Sequence, residues 1–186
     1  RLLREDRFCW NERENRWDLE DQYTFLYMEN KEVGAFNSQG DFVEFRVLGT
    51  GKGAEIGATV AVELNKNIYA PLHDCNGSLV GLVDIHGKEV AESYLYTAFG
   101  ERTIFNGRGE IVEDSVLGNR WGFFNKRHGK EGALIYFGRR MYDPSLLRWI
   151  TPDPLGIEEG PNLYSFVLNN PLRYYDSYGE SVEGHS

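Results

Sequence analysis

Apolar and aromatic positions along this chain gather in short stretches separated by polar turns, a spacing that predicts strands rather than helices. The clearest are "YTFLYM" at 23–28, "DFVEFRVL" at 41–48 and "ESYLYTAF" at 92–99, all rich in Tyr, Phe, Leu and Val. No long helical pattern precedes residue 140. Between the stretches a motif recurs: Asp or Asn, two residues, Gly, two residues, Val. Its copies are Asn37-Gly40-Val43, Asp74-Gly77-Val80, Asp84-Gly87-Val90, Asn106-Gly109-Val112 and Asp176-Gly179-Val182. An Asp or Asn side chain accepts a hydrogen bond from its own backbone two residues on, Gly takes a positive φ without steric cost, and Val begins the next strand. Each copy therefore predicts a hairpin tip. Two copies extend further, "VGAFNSQGDFV" at 33–43 aligning without gaps on "VGLVDIHGKEV" at 80–90. Such units imply a mainly β fold of stacked antiparallel hairpins, neighbours burying one another's faces.

The texture changes near Gly138. From there "MYDPSLLRWITPDPLGIEEGPNLYSFVLNNPLRYYD" is broken by X-Pro steps, with "NLYSFVL" a short helix or strand between turns. The organisation expected is hairpin repeats over 1–137, a distinct irregular segment over 138–180, and over 181–186 a tail or the start of a variable C-terminal segment.

Composition fits one folded domain's worth of chain: 186 residues, 41% hydrophobic, 26% charged and 14% aromatic. A net charge of −9 opposes binding to nucleic acid or anionic lipid. The densest basic stretch, Lys126-Arg127-His128 with Lys130, reads as a solvated loop. The longest apolar run, "ATVAV" at 58–62, is far too short for a membrane span. Cys9 and Cys75 make no disulfide framework, and neither they nor His73, His86, His128 and His185 have metal-ligand spacing, so no metal or cofactor is expected. In "LHDC", His73 and Cys75 alternate onto one side of a strand, a nucleophile–base arrangement that competes with a plain hairpin tip. "LGTGKGAEIG" at 48–57 lacks phosphate-loop spacing and reads as a turn. Trp149 and the Tyr-rich repeats read as core ahead of a binding surface.

The segment from Gly138 to Gly179 is also recognisable. Arg140, Tyr142-Asp143-Pro144, Arg148-Trp149, Asp153-Pro154 with Gly156, Asn162-Leu163-Tyr164, Asn169-Asn170-Pro171 and Asp176 with Gly179 together resemble the terminal signature of the Rhs/YD-repeat core domain. Upstream, "YAPLHDCNGSLVGLVDIHGKEVAESYLYTAFGERT" resembles the repeat that precedes it, so the likeness covers roughly residues 69 to 180. It implies the end of a spiral β-shell that encloses a variable C-terminal effector and frees it by self-cleavage with aspartic-protease-like chemistry. It also implies a secreted or cell-surface setting and, as partners, the chain's own N-terminal repeats, a downstream segment, and secretion machinery or a target-cell surface. The alternative is an adhesion or recognition module that never cleaves. The cleavage residues implied are Asp153, Asp176 and Arg140. Two carboxylates held close do not readily both ionise, so one serves as acid and the other as base, while the arginine polarises a carbonyl or holds one carboxylate charged. Three positions depart from the pattern: Ser177 where proline is usual, Leu147 where glycine is common, and Glu180 where leucine precedes the cut.

Overall fold

The computed structural model describes residues 3–29, 31–49, 58–129 and 134–184, except for the side chains of 158 and 159. The chain divides into two compact units, Arg1–Ala70 and Pro71–Ser186.

The first unit is an antiparallel meander. It contains β1 (Arg4–Asn11), β2 (Arg16–Met28), β3 (Lys31–Phe36), β4 (Phe42–Leu48) and β5 (Thr59–Leu64), and the start of β6 (Asn67–His73). Consecutive strands pair in sequence order. Phe25, Val33, Ala35, Val62, Leu64 and Tyr69 form its buried face. Arg46 is buried among them, its guanidinium donating to the Thr59 hydroxyl and the Glu32 carbonyl. Phe42, Phe45, Val47 and Val60 remain exposed on the same strands. The loop reading of "LGTGKGAEIG" falls mostly outside the described residues.

The second unit opens with a similar meander: β7 (Leu79–Asp84), β8 (Val90–Tyr96), β9 (Arg102–Asn106) and β10 (Ile111–Val112). Two smaller sheets follow. One comprises β11 (Arg127–His128), β12 (Ile135–Tyr136), β13 (Met141–Asp143) and β14 (Arg148–Trp149), the other β15 (Tyr174–Tyr175) and β16 (Glu183–Gly184). Three short 3-10 turns, at Phe123–Asn125, Gly156–Glu159 and Val167–Asn169, are the only helical elements among the described residues. The "NLYSFVL" stretch ends in one of these and bridges Arg148 through Ser165. The fold is thus mainly antiparallel β, as its sequence implies.

All five copies of the Asx-Gly motif lie at hairpin tips, and the local chemistry is the reason. Asn37, Asp74, Asp84, Asn106 and Asp176 each accept, through Oδ1, backbone N–H groups two to four residues on. Gly40, Gly77, Gly109 and Gly179 have φ between 73° and 84°. Gly87 is the exception: at that tip Lys88 takes the positive φ, 56°. The gap-free alignment of 33–43 on 80–90 also has a structural counterpart. Both copies carry a register shift at the equivalent step, between Ala35 and Phe36 and between Leu82 and Val83. The residues before the shifts, Ala35 and Leu82, face the buried glutamates Glu44 and Glu92 across the pair.

The core of the second unit is aromatic. Phe123, Phe137, Tyr142, Trp149 and Phe166 pack with Ile135 and Val167, ring against ring at centroid separations from 4.1 to 6.4 Å. Edge-on and tilted contacts of this kind add to the area that the rings bury. Trp149 belongs to this core rather than to a surface. The basic stretch is a correction: Arg127 and His128 are buried, not a solvated loop. Arg127 stacks 4.7 Å over the Trp121 ring, and His128 Nε2 accepts the Phe123 backbone N–H at 3.0 Å. Burial beside Arg102 and Arg120 holds the His128 imidazole neutral, well below its ordinary range.

Candidate functional site

Arg140, Asp153 and Asp176 come from three separate turns of the second unit. Arg140 closes the β12–β13 hairpin, where the Phe137 N–H donates to its carbonyl at 3.1 Å and Gly138 supplies a φ of 110°. Asp153 follows β14 and is fixed by its N–H to the Leu163 carbonyl at 2.9 Å. Its Oδ1 accepts the Leu155 N–H at 2.8 Å, so it is a turn residue as well. Asp176 caps the β15–β16 hairpin, Oδ1 accepting the N–H groups of Tyr178, Gly179 and Glu180 at 3.0, 2.6 and 3.1 Å.

The structure brings the three side chains together and buries them. Arg140 lies between the aspartates, Nη1 2.6 Å from Asp153 Oδ2 and Nη2 3.3 Å from Asp176 Oδ2. The shorter contact is an ion pair without hydrogen-bond alignment. Side-chain exposure is 3% for Arg140, 8% for Asp153 and 2% for Asp176, so this cluster is not the solvent-screened kind of salt bridge. The guanidinium rests 4.2 Å above the Trp149 ring, and its Nε donates to the Gly179 carbonyl at 2.8 Å. A planar fork with several fixed donors suits such a junction, as a lysine would not.

Asp176 is the unusual carboxyl. Burial pushes its pKa up, outweighing the three backbone N–H groups and Arg140, which act the other way. Asp153 holds the shorter contact with the guanidinium.

Two further residues touch the same turn, and the sequence marks neither as a site residue. Lys126 Nζ donates to the Ser177 carbonyl at 2.6 Å and lies 5.5 Å from the Tyr178 ring centre. Arg139 donates its backbone N–H to the Tyr178 carbonyl at 3.1 Å and places Nε 2.6 Å from Glu180 Oε1. The departures are accommodated. Glu180 is a paired surface carboxylate, not a charge forced into an apolar pocket. Leu147, where glycine is common, adopts φ 57° in the turn headed by Asp143, whose Oδ1 accepts the N–H groups of Ser145 and Leu146. Glycine takes that conformation without strain.

The other candidate, His73 with Cys75, lies where β6 runs into its hairpin tip. Cys75 is exposed at the hairpin tip with its thiol 4.0 Å from Asn76 Oδ1, while Asp74 spends its carboxylate on the turn. No cluster of three metal-ligating side chains occurs among the described residues, and none of their helices is long and apolar enough to cross a membrane.

An open antiparallel meander followed by an aromatic-cored terminal segment defines the class of fold, mainly β and built of consecutive hairpins. The comparisons with known proteins agree. No family model matches the chain. Toxin subunit YenC1 of Yersinia entomophaga is 39% identical over 97 residues, 52% of this chain and 9% of that protein. Toxin protein Tse5 of Pseudomonas aeruginosa is 40% identical over 57 residues, 31% of this chain and 4% of that protein. Among solved structures, the crystal structure of TcdB2-TccC3 superposes with a TM-score of 0.63 at 20% identity, over 95% of this chain and 8% of that one. The resemblance to Rhs/YD-repeat toxin shells is therefore borne out, in sequence over parts of the chain and in fold over nearly all of it. The chain spans less than a tenth of the length of these three proteins.

Proposed function

We propose that this chain is the terminal part of a toxin-associated Rhs/YD-repeat β-shell, that residues 138–180 close the repeat array, and that Asp153, Asp176 and Arg140 cut the chain after the core. The observation that carries the reading is the buried Arg140 fork, which gathers both aspartates and the Gly179 carbonyl at the turn where the resemblance puts the cut. The surroundings suit unlike roles. Asp176, with its raised pKa, is the acid, and Asp153, in the shorter ion pair, is the base. A water oxygen adds to the Glu180 carbonyl carbon as Asp153 takes one of its protons. The bond to the Ser181 nitrogen breaks as Asp176 gives that nitrogen its proton. The proton on Asp153 returns to Asp176, leaving a carboxyl on residue 180 and an amine on Ser181, with one water consumed. No metal or cofactor enters the scheme.

In this role the partners are the N-terminal repeats that continue the shell and a downstream effector inside it, in a secreted or surface-exposed assembly. The test is the intact mass, under denaturing conditions, of the chain carrying a long tag after Ser186, beside Asp153→Asn and Asp176→Asn. Tag loss in the parent alone, with a new terminus after residue 180, is the expected result. An uncut parent that melts cooperatively would return both aspartates to turn chemistry and leave a structural cap, and binding of that uncut protein to cells or glycans, unchanged in Asp153→Asn, would favour the non-cleaving adhesion module.

A further inference from the structure

Residues 177 to 180 are gripped at successive points. Lys126 holds the Ser177 carbonyl, the Arg139 N–H holds the Tyr178 carbonyl, and Arg140 holds that of Gly179. Residue 180 is pinned from two sides, by its N–H on Asp176 Oδ1 at 3.1 Å and by its carboxylate 2.6 Å from Arg139 Nε. That last contact is made by the side chain at position 180, where the resemblance has leucine. A pocket shaped for leucine would exclude an unpaired carboxylate. Here the site instead offers a cation, and the pair lies in contact with water, the Arg139 side chain being 66% exposed and that of Glu180 36%.

We propose that Arg139 is a specificity-determining residue, reading a carboxylate on the residue before the cut bond. This rests on the self-cleavage reading. An exposed pair is worth little and is screened by salt, so Arg139 tunes the rate without creating the chemistry.

The experiment follows cleavage of the tagged chain over time for the parent, Arg139→Glu, Glu180→Arg, the double exchange Arg139→Glu/Glu180→Arg, and Glu180→Leu, with a thermal melt of each. Each single charge reversal is expected to slow the cut about threefold, and the double exchange to restore it. Raising salt from about 0.05 M to about 0.5 M slows the parent but not Glu180→Leu. A parent that cuts at the same rate as Arg139→Glu, or a double exchange no faster than the single reversals, overturns the Arg139 assignment and leaves self-cleavage standing. A folded parent and a folded Glu180→Leu that both stay uncut bring down the cleavage reading, and this assignment with it.

Discussion

Asp176 carries the sharpest residue-scale consequence. Its pKa is raised in the fold, so the folded protein holds this proton more tightly than the unfolded chain does. The associated stability is fully present below the ordinary carboxylate range, about 3.9, and is lost as pH rises through the folded value. Asparagine at this position keeps an acceptor for the three backbone N–H groups but has no proton to exchange. The parent is therefore expected to gain melting temperature relative to Asp176→Asn as the buffer is taken from neutral towards pH 4. A constant difference across that range would show that the burial of Asp176 does not govern its titration.

Hairpin tips show at the element scale how far local chemistry reaches. Gly109 has φ 79°, so Gly109→Ala forces a side chain into the left-handed region and is expected to cost about 1 kcal/mol. At the same motif position Gly87 has no positive φ, and an added β-carbon would meet Asp84 Oδ2 at an ordinary 3.5 Å. Gly87→Ala should be close to neutral, and urea titrations of the two variants separate them. The motif made all five tips legible because an Asx side chain bonding its own backbone is local. It could not show that Lys88 relieves Gly87, since two adjacent residues compete for one turn conformation. Trp149 was legible as core and Arg140, Asp153 and Asp176 as a set by resemblance, whereas the burial of Arg127 and His128 was not. Their partners Trp121 and Phe123 lie on the other side of the short turn that Trp121 and Arg127 bridge, and a run of basic letters ordinarily marks a wet surface. Lys126 and Arg139 were hidden for a related reason: each acts on a hairpin some 40 to 50 residues further along the chain.

At the scale of the whole molecule, two kinds of β-structure meet different demands. The long meanders repeat one turn chemistry and leave apolar side chains such as Phe8, Trp17, Val47 and Leu95 exposed. The terminal segment uses strands of only two or three residues and relies on packed rings and buried ion pairs. Its last hairpin is a sheet of two strands only, with Tyr174 opposite Gly184 and Tyr175 opposite Glu183. A two-stranded hairpin this short is marginal by itself. Residues 180 and 181 lie in its loop, between the two strands. Hydrolysis there would open the loop without separating its arms, so scission and departure become two events with separate rates. The severed downstream piece would then be held by a duplex of only two residue pairs, too few to retain it once the covalent link is gone. Native mass spectrometry of the cut tagged chain should accordingly find the two pieces as separate particles while the aromatic core of the larger one stays folded.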